Sequence, residues 1–286
     1  INLMKFLLIT LSFIFMGINF IPMKKVLSIV PYYYFPSTKN LRQEGIEIAK
    51  SAYQLLIYGQ IEESLELAKL AISLNDTDEN IWAILAESQI ANELYDDALF
   101  SLKQGKEINP YMSEFYFAES SIYLYQNNLD EAKTTLTKGL EIEPNNYNGI
   151  FQLGNIFLME KNYKKALIQF EKAIMINPEF WQAINNRGLV FFELDKNLLA
   201  ISSFEEAISI EENAETLLAL AVSLKTNKRS DAILLAQKAL KLDPKYVSSE
   251  YREEQLWGGK LQKATDELFL FKELEEDILF AKEYLN

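Results

Sequence analysis

Ile150-Phe151-Gln152-Leu153-Gly154-Asn155-Ile156-Phe157, then Ala166-Leu167-Ile168-Gln169-Phe170-Glu171-Lys172-Ala173, closed by Pro178, is the stretch on which the fold turns. Its apolar residues recur twice at helical spacing, with the turn formers Lys161-Asn162 between the two runs. Asn177 precedes the proline and is pushed out of the α region, which ends the second helix. Downstream by 34 positions, Ile184, Gly188, Phe191, Ala200, Phe204 and Ala207 stand in the same places. Upstream, the same pattern gives Trp82, Leu85, Ala86, Ala98, Leu102 and Pro110. Prolines 110, 144 and 178 share the period, and Pro244 closes a unit two residues short. Self-similarity at a fixed period predicts a solenoid of stacked helix pairs.

Small side chains explain how each pair closes. Ala52, Ala86, Ser120, Gly154, Gly188 and Ala221 lie on the first helices, opposite Ser64, Ala98, Ala132, Ala166, Ala200 and Ala232 on the second. Small–small crossings let two helices approach closely, and a large residue there overpacks the crossing. Asn127-Asn128 read as a turn between helices. Glu119 and Arg187 stand where large aliphatic residues are expected, which predicts looser packing in the third and fifth units.

The repeated pattern resembles the tetratricopeptide (TPR) family over residues 45–246. The resemblance implies an all-α solenoid, a right-handed superhelix of six repeats at 45–78, 79–112, 113–146, 147–180, 181–213 and 214–246. It also implies that positions 2, 5, 9, 12 and 13 of each unit line a concave groove that holds a partner polypeptide. In the central units these are Glu114, Phe117, Ser121, Leu124 and Tyr125, then Asn148, Phe151, Asn155, Leu158 and Met159, then Gln182, Asn185, Leu189, Phe192 and Glu193. Amides suit an extended backbone, since each donates and accepts at once. Aromatic and Met side chains supply apolar area. The competing reading is that these aromatics pack between helices, or that the chain's own ends fill the groove. A clamp for acidic chaperone C-termini, known in the family, is not expected. Asn155 and Asn186 fall in its two amide places, but Phe151, Glu215 and Ala219 stand where its cations belong.

Composition narrows the chemistry. The 286 residues contain no Cys and no His and carry a net charge of −13. That removes thiolate and imidazole catalysis and the commonest metal ligands, so no metal and no cofactor is expected. The acidity argues against a nucleic-acid surface. Gly258-Gly259 lacks the flanking pattern of a phosphate loop. The acid pairs Glu62-Glu63, Asp96-Asp97, Asp130-Glu131 and Glu205-Glu206 read as complements to helix dipoles at the start of the second helices, not as catalytic carboxylates. Lys225, Lys228, Arg229, Lys238, Lys241 and Lys245 make the sixth unit a basic island, read as a solvated face, with docking of an acidic partner or anionic lipid as the alternative.

The two ends differ from the middle. Residues 1–44 are basic, and Phe6 to Met23 form an uncharged run between Lys5 and Lys24. Residues 1–25 read as a membrane anchor, or as a signal segment whose cleavage releases an exported protein. A start at Met23 would remove the run. The lysines after it favour the repeat domain on the cytoplasmic side. Residues 26–44 read as a linker. Residues 247–286 lack the period but keep helical patterning, and read as two or three helices, broken near Gly258-Gly259, that cap the open apolar end. The functional expectation is a non-catalytic interaction scaffold that assists assembly or maintenance of a membrane protein complex. Its layout is similar to membrane-anchored tetratricopeptide assembly factors.

Overall fold

The computed structural model describes residues 36–225 and 228–285. The apolar run and most of the linker fall outside them, so the anchor and signal readings lie beyond the described residues. The chain divides after Leu41 into two units. Of the first, residues 36–41 are described and already open a helix, because the Ser37 hydroxyl accepts from the Asn40 amide at 3.2 Å. The stretch read as linker is therefore helical from Thr38. Among the described residues no helix is long and apolar enough to cross a membrane.

Among the described residues twelve helices form six consecutive pairs: α1 (Thr38–Ile57) with α2 (Ile61–Leu74), α3 (Glu79–Ala91) with α4 (Tyr95–Ile108), and α5 (Ser113–Tyr125) with α6 (Leu129–Ile142). They continue as α7 (Tyr147–Met159) with α8 (Tyr163–Ile176), α9 (Trp181–Glu193) with α10 (Asn197–Ile210), and α11 (Ala214–Leu224) with α12 (Arg229–Leu242). A 3-10 turn at Pro244–Val247 leads to three further helices, α13 (Ser249–Glu254), α14 (Gly259–Leu268) and α15 (Glu275–Tyr284). The result is an α-solenoid with a helical C-terminal end.

Small–small crossings set the pairs. All twelve residues named above are buried. At the first crossing the Ser64 hydroxyl donates to the Ala52 carbonyl at 2.8 Å, and at the third Ser120 donates to the Ala132 carbonyl at 2.9 Å. In the fourth and fifth units a phenylalanine uses the room a glycine leaves. A methyl on Gly154 would sit 2.5 Å from Phe170, and one on Gly188 would sit 2.5 Å from Phe204, both rings fully buried. These rings have nowhere to retreat, so glycine is required.

The intra-unit turns repeat as strictly as the helices. Gly59, Glu93, Asn127, Lys161 and Asp195, each 34 positions apart, all take a left-handed backbone. The next amide reaches back to close the helix end, as Asn128 does to Tyr123 and Asn162 to Phe157, both at 2.8 Å. Such closure satisfies terminal carbonyls and holds non-glycine residues in a conformation they otherwise disfavour.

Three expectations are corrected. Glu119 and Arg187 are held by polar partners rather than left loose in both units. Lys106 pairs with Glu119 at 2.7 Å beside a hollow of about 410 Å³, as the looser packing expected of the third unit requires. Arg187, by contrast, pairs with Glu206 at 2.7 Å and donates to Ser203 at 3.1 Å. Glu205-Glu206 lie in the middle of α10, not at its start, so the dipole explanation holds only for Glu62-Glu63, Asp96-Asp97 and Asp130-Glu131. The basic island is a docking face for the chain's own C-terminus. Lys225 pairs with Glu267 at 2.5 Å, Arg229 with Glu273 at 3.2 Å, and Lys241 with Asp277 at 3.7 Å. Three acids of the end helices, Glu267, Glu273 and Asp277, thus offset cations of unit six, and Glu267 and Glu273 remain about half exposed.

Candidate functional site

First helices of successive units contact one another, α3 with α5, α7 with α9 and α9 with α11, and so form one wall. The sequence-predicted groove residues divide on that wall into three groups. Tyr125 (66% exposed), Met159 (37% exposed), Glu114 and Asn148 are open to solvent. The Tyr125 ring lies 4.4 Å from Tyr95, centroid to centroid. Ser121, Asn155 and Gln182 are half-buried. The remainder serve packing. Phe117 fills the space above Gly139 and Gly149, where added methyls would meet its ring at 2.6 and 2.9 Å. Leu124 joins it against Ala132, Leu136 and Ile156. Phe151 packs on Phe170 and Phe180, with centroids 5.8 and 4.9 Å apart. Leu158 and Leu189 are buried outright, and Phe192 leans on the C-terminal core. The apolar floor expected for the groove is thus largely internal cement between helices. Tyr125 and Met159 are its open apolar points.

From the C-terminal end of the fourth unit's first helix onward, the wall is covered by the chain's own C-terminal segment. Helix α14 packs on α9 and α11. Glu193, a groove position, is buried and caps that helix from a distant part of the chain, accepting from the Leu261 amide at 3.0 Å and the Lys260 amide at 3.4 Å. Any side chain at Gly258 would collide with the Glu193 carboxylate, 2.2 Å from the added carbon. Trp257 is 4% exposed and donates its indole N–H to Glu215 at 3.2 Å. Leu256 takes a left-handed backbone (φ 65°) and packs beside Leu158 and Val190. This crossing segment, residues 253–260, makes a strap over the wall, and the groove ends against it.

At that end lies a cavity of about 330 Å³ lined by Phe151, Asn155, Trp181, Gln182, Asn185 and Asn186 from the wall, by Glu215 on α11, and by Glu254, Gln255 and Leu256 of the strap. Three amides run across it in order. Asn185 Nδ2 donates to Asn186 Oδ1 at 3.3 Å, and Asn186 Nδ2 donates to Asn155 Oδ1 at 2.9 Å. Burial pushes the Glu215 carboxyl up to about 7 from its usual 4.5, while hydrogen bonds from Trp257 and Asn185 draw it back. Of these residues, Trp181, Glu254, Gln255 and Leu256 were not legible as site residues. Trp257, between two amphipathic runs and beside Gly258-Gly259, was the available signal.

The raised carboxyl has a consequence for stability. The folded state holds the Glu215 proton more tightly than the unfolded chain does. Its contribution is therefore present below pH 4.5 and lost as the pH rises through about 7. Glu215→Gln removes the titration and keeps an acceptor for Trp257. Relative to the natural chain, the variant should gain about 1–3 kcal/mol between pH ~4.5 and pH ~8, a figure reduced for residual solvent contact. Urea denaturation at both pH values reads this directly, and a pH-independent difference contradicts it.

Comparison with known proteins agrees with the geometry. Residues 147–180 match one sequence family described as tetratricopeptide repeat, and residues 113–146 and 182–214 match another of the same description. PilF of Pseudomonas aeruginosa shares 17% identity over 76% of this chain and 98% of its own, with a TM-score of 0.65. MamA of Desulfovibrio magneticus RS-1 shares 15% over 61% of this chain and 97% of its own, with a TM-score of 0.53. YrrB, a TPR protein with an unusual peptide-binding site, shares 17% over 64% of this chain and 96% of its own, with a TM-score of 0.50. At these identities the likeness is one of fold. No curated protein matches the sequence.

Proposed function

Since the chain is a tetratricopeptide repeat protein, we propose that it is a non-catalytic scaffold that holds a partner polypeptide along the inner wall of units one to four. The observation that carries this is the division of the wall. Its C-terminal half is covered by the strap, whereas Tyr125, Asn148 and the half-buried Ser121 share no lining with it, and Met159 and Asn155 line the hollows where the open stretch meets the strap. Exposed aromatic and Met side chains give area, and the amides give pairing without demanding one sequence. YrrB lends the reading a parallel, in that a solenoid of this kind has a peptide-binding site. The uncharged run Phe6 to Met23 extends the proposal to tethering. The repeat domain is held at a membrane, on the cytoplasmic side, and assists assembly or maintenance of a membrane complex.

One experiment tests both parts. The tagged full chain is expressed in its own cells and cross-linked, its membranes are washed with carbonate, and the partner is identified by mass spectrometry. The expected result is chain and partner together in the washed membranes, with the partner lost from Tyr125→Ala/Met159→Ala while the chain and its helicity remain. Unchanged capture by that variant overturns the groove reading. Release of the chain into the wash, or a mature start near residue 20–35, overturns the tether.

A further inference from the structure

Building on the groove reading, we propose that the cavity where the groove meets the strap receives one cationic side chain, Lys or Arg, of the bound polypeptide. Its lining carries two carboxylates, Glu215 and Glu254, and no Lys or Arg. Carboxylates alone make no site, but a second, independent feature points the same way. Asn185 is 1% exposed, and its Oδ1 has no hydrogen-bond partner among the described residues. The orientation of this amide is fixed by its neighbours. Asn186 spends its own Nδ2 on Asn155 and so presents Oδ1 to Asn185, and the ionised Glu215 carboxylate also accepts from Asn185. The Asn185 Nδ2 must therefore face them, which leaves its oxygen as a buried acceptor in want of a donor. An unmet buried acceptor is costly, and an ammonium or guanidinium brings only donors. Phe151 and Trp181 add aromatic walls of the kind that favour cations.

The surroundings extend the same sign. A neighbouring hollow of about 400 Å³ shares Trp181, Glu215 and Gln255 and adds Asp243, together with Glu212, whose charge Lys238 offsets at 2.5 Å. Farther along the wall, burial and the nearby Glu114 hold the Glu87 carboxyl above its usual range. Across units one to five, the groove positions carry Glu87, Glu114 and Glu193 and not one Lys or Arg. Where chaperone clamps place cations for a carboxylate, this chain places Glu215 and Ala219. The field thus selects a basic partner and disfavours an acidic one.

The chain's three tryptophans allow a direct test. Trp181 lines the cavity and Trp257 binds Glu215, whereas Trp82 lies at the other end of the solenoid, its indole donating to the Asp76 carbonyl at 2.9 Å. The full chain is labelled with 5-fluorotryptophan and titrated with N-acetyl-arginine amide, and separately with its neutral isostere N-acetyl-citrulline amide. Arginine amide should shift the Trp181 and Trp257 fluorine signals saturably and leave Trp82 in place. Citrulline amide should bind roughly tenfold more weakly or worse, and Glu215→Gln should weaken arginine binding by a similar factor. Equal responses to the two amides, no shift at Trp181 and Trp257, or an unaltered response in Glu215→Gln overturns the proposal. If that happens while Tyr125→Ala/Met159→Ala still loses its partner, the pocket falls and the groove stands. Insensitivity of capture to the latter variant sinks the groove regardless of arginine.

Discussion

Trp257→Ala is expected to lower stability by about 3–5 kcal/mol, the range for emptying a large aromatic site in a core. Trp257 sits in the C-terminal core with Leu217, Leu218, Leu261 and Tyr246, the last with its ring centroid 6.2 Å away. Its indole also supplies one of the hydrogen bonds that satisfy the buried Glu215 carboxylate. Truncation therefore leaves a void and removes a donor from a group that has few. The damage should be local. In a solenoid each unit is held chiefly by its neighbours, so stability is close to a sum along the axis. Hydrogen exchange should show lost protection in α11 to α15, with α3 to α6 as protected as in the natural chain. A melting temperature lower by roughly 10 °C would accompany it. Trp257→Phe should recover most of the loss but not the hydrogen bond, leaving about 1 kcal/mol. Uniform loss of protection along the chain, or a melting temperature within about 2 °C of the natural one, would refute the assignment of the strap as the lock on the sixth unit.

The period of 34 made the repeats legible because every unit solves the same packing problem in the same way. Ala52, Ala86, Ser120, Gly154, Gly188 and Ala221 align from the sequence alone, since a crossing tolerates nothing larger. The αL turn residues were partly legible: Asn127 and Lys161 fell in recognised turns, but Glu93 and Asp195 are not types that announce a left-handed backbone. What could not be read was anything that happens once. Glu193 caps α14 across 68 positions, and no periodic pattern encodes that contact. Lys225, Arg229 and Lys241 looked like a free basic patch because their acids lie in another element, 36 to 44 residues on. The groove positions themselves were misjudged in part for a related reason. Phe117, Leu158 and Leu189 occupy places that face the wall in the family pattern, yet here neighbouring glycines and the strap draw them into cement. Tyr125 remains outside, and Met159 stays partly exposed at the rim of a hollow it shares with the strap.

Arg252 is the sharpest case of a residue whose sequence gave no warning, and its loss should be the second large effect. A charged residue at the end of an acidic helix reads as solvated, but Arg252 is 1% exposed. Its Nη1 donates to the Tyr246 and Val247 carbonyls at 2.9 and 3.1 Å, its Nε to Gln262 at 2.8 Å, and its Nη2 to Asp266 at 3.0 Å. The guanidinium also lies 5.4 Å from the Phe269 ring centroid. One side chain thereby ties the 3-10 turn, α13 and α14 together. Burial lowers its pKa, and Asp266 opposes that shift. Arg252→Ala would orphan two buried carbonyls and open a cavity at the junction, at a cost of about 3–5 kcal/mol. The ion pair is the lesser part, because Asp266 is itself well exposed. Asp266→Asn should therefore cost under about 1 kcal/mol, and the penalty for Arg252→Ala should persist at high salt. Arg252→Lys should rescue little, since a single ammonium cannot reach acceptors on three sides as a planar fork does. Thermal unfolding of the three variants at low and high salt distinguishes these roles. Near-natural stability of Arg252→Lys, or an Asp266→Asn loss as large as that of Arg252→Ala, would show that charge alone, not the fork of hydrogen bonds, holds the C-terminal end closed.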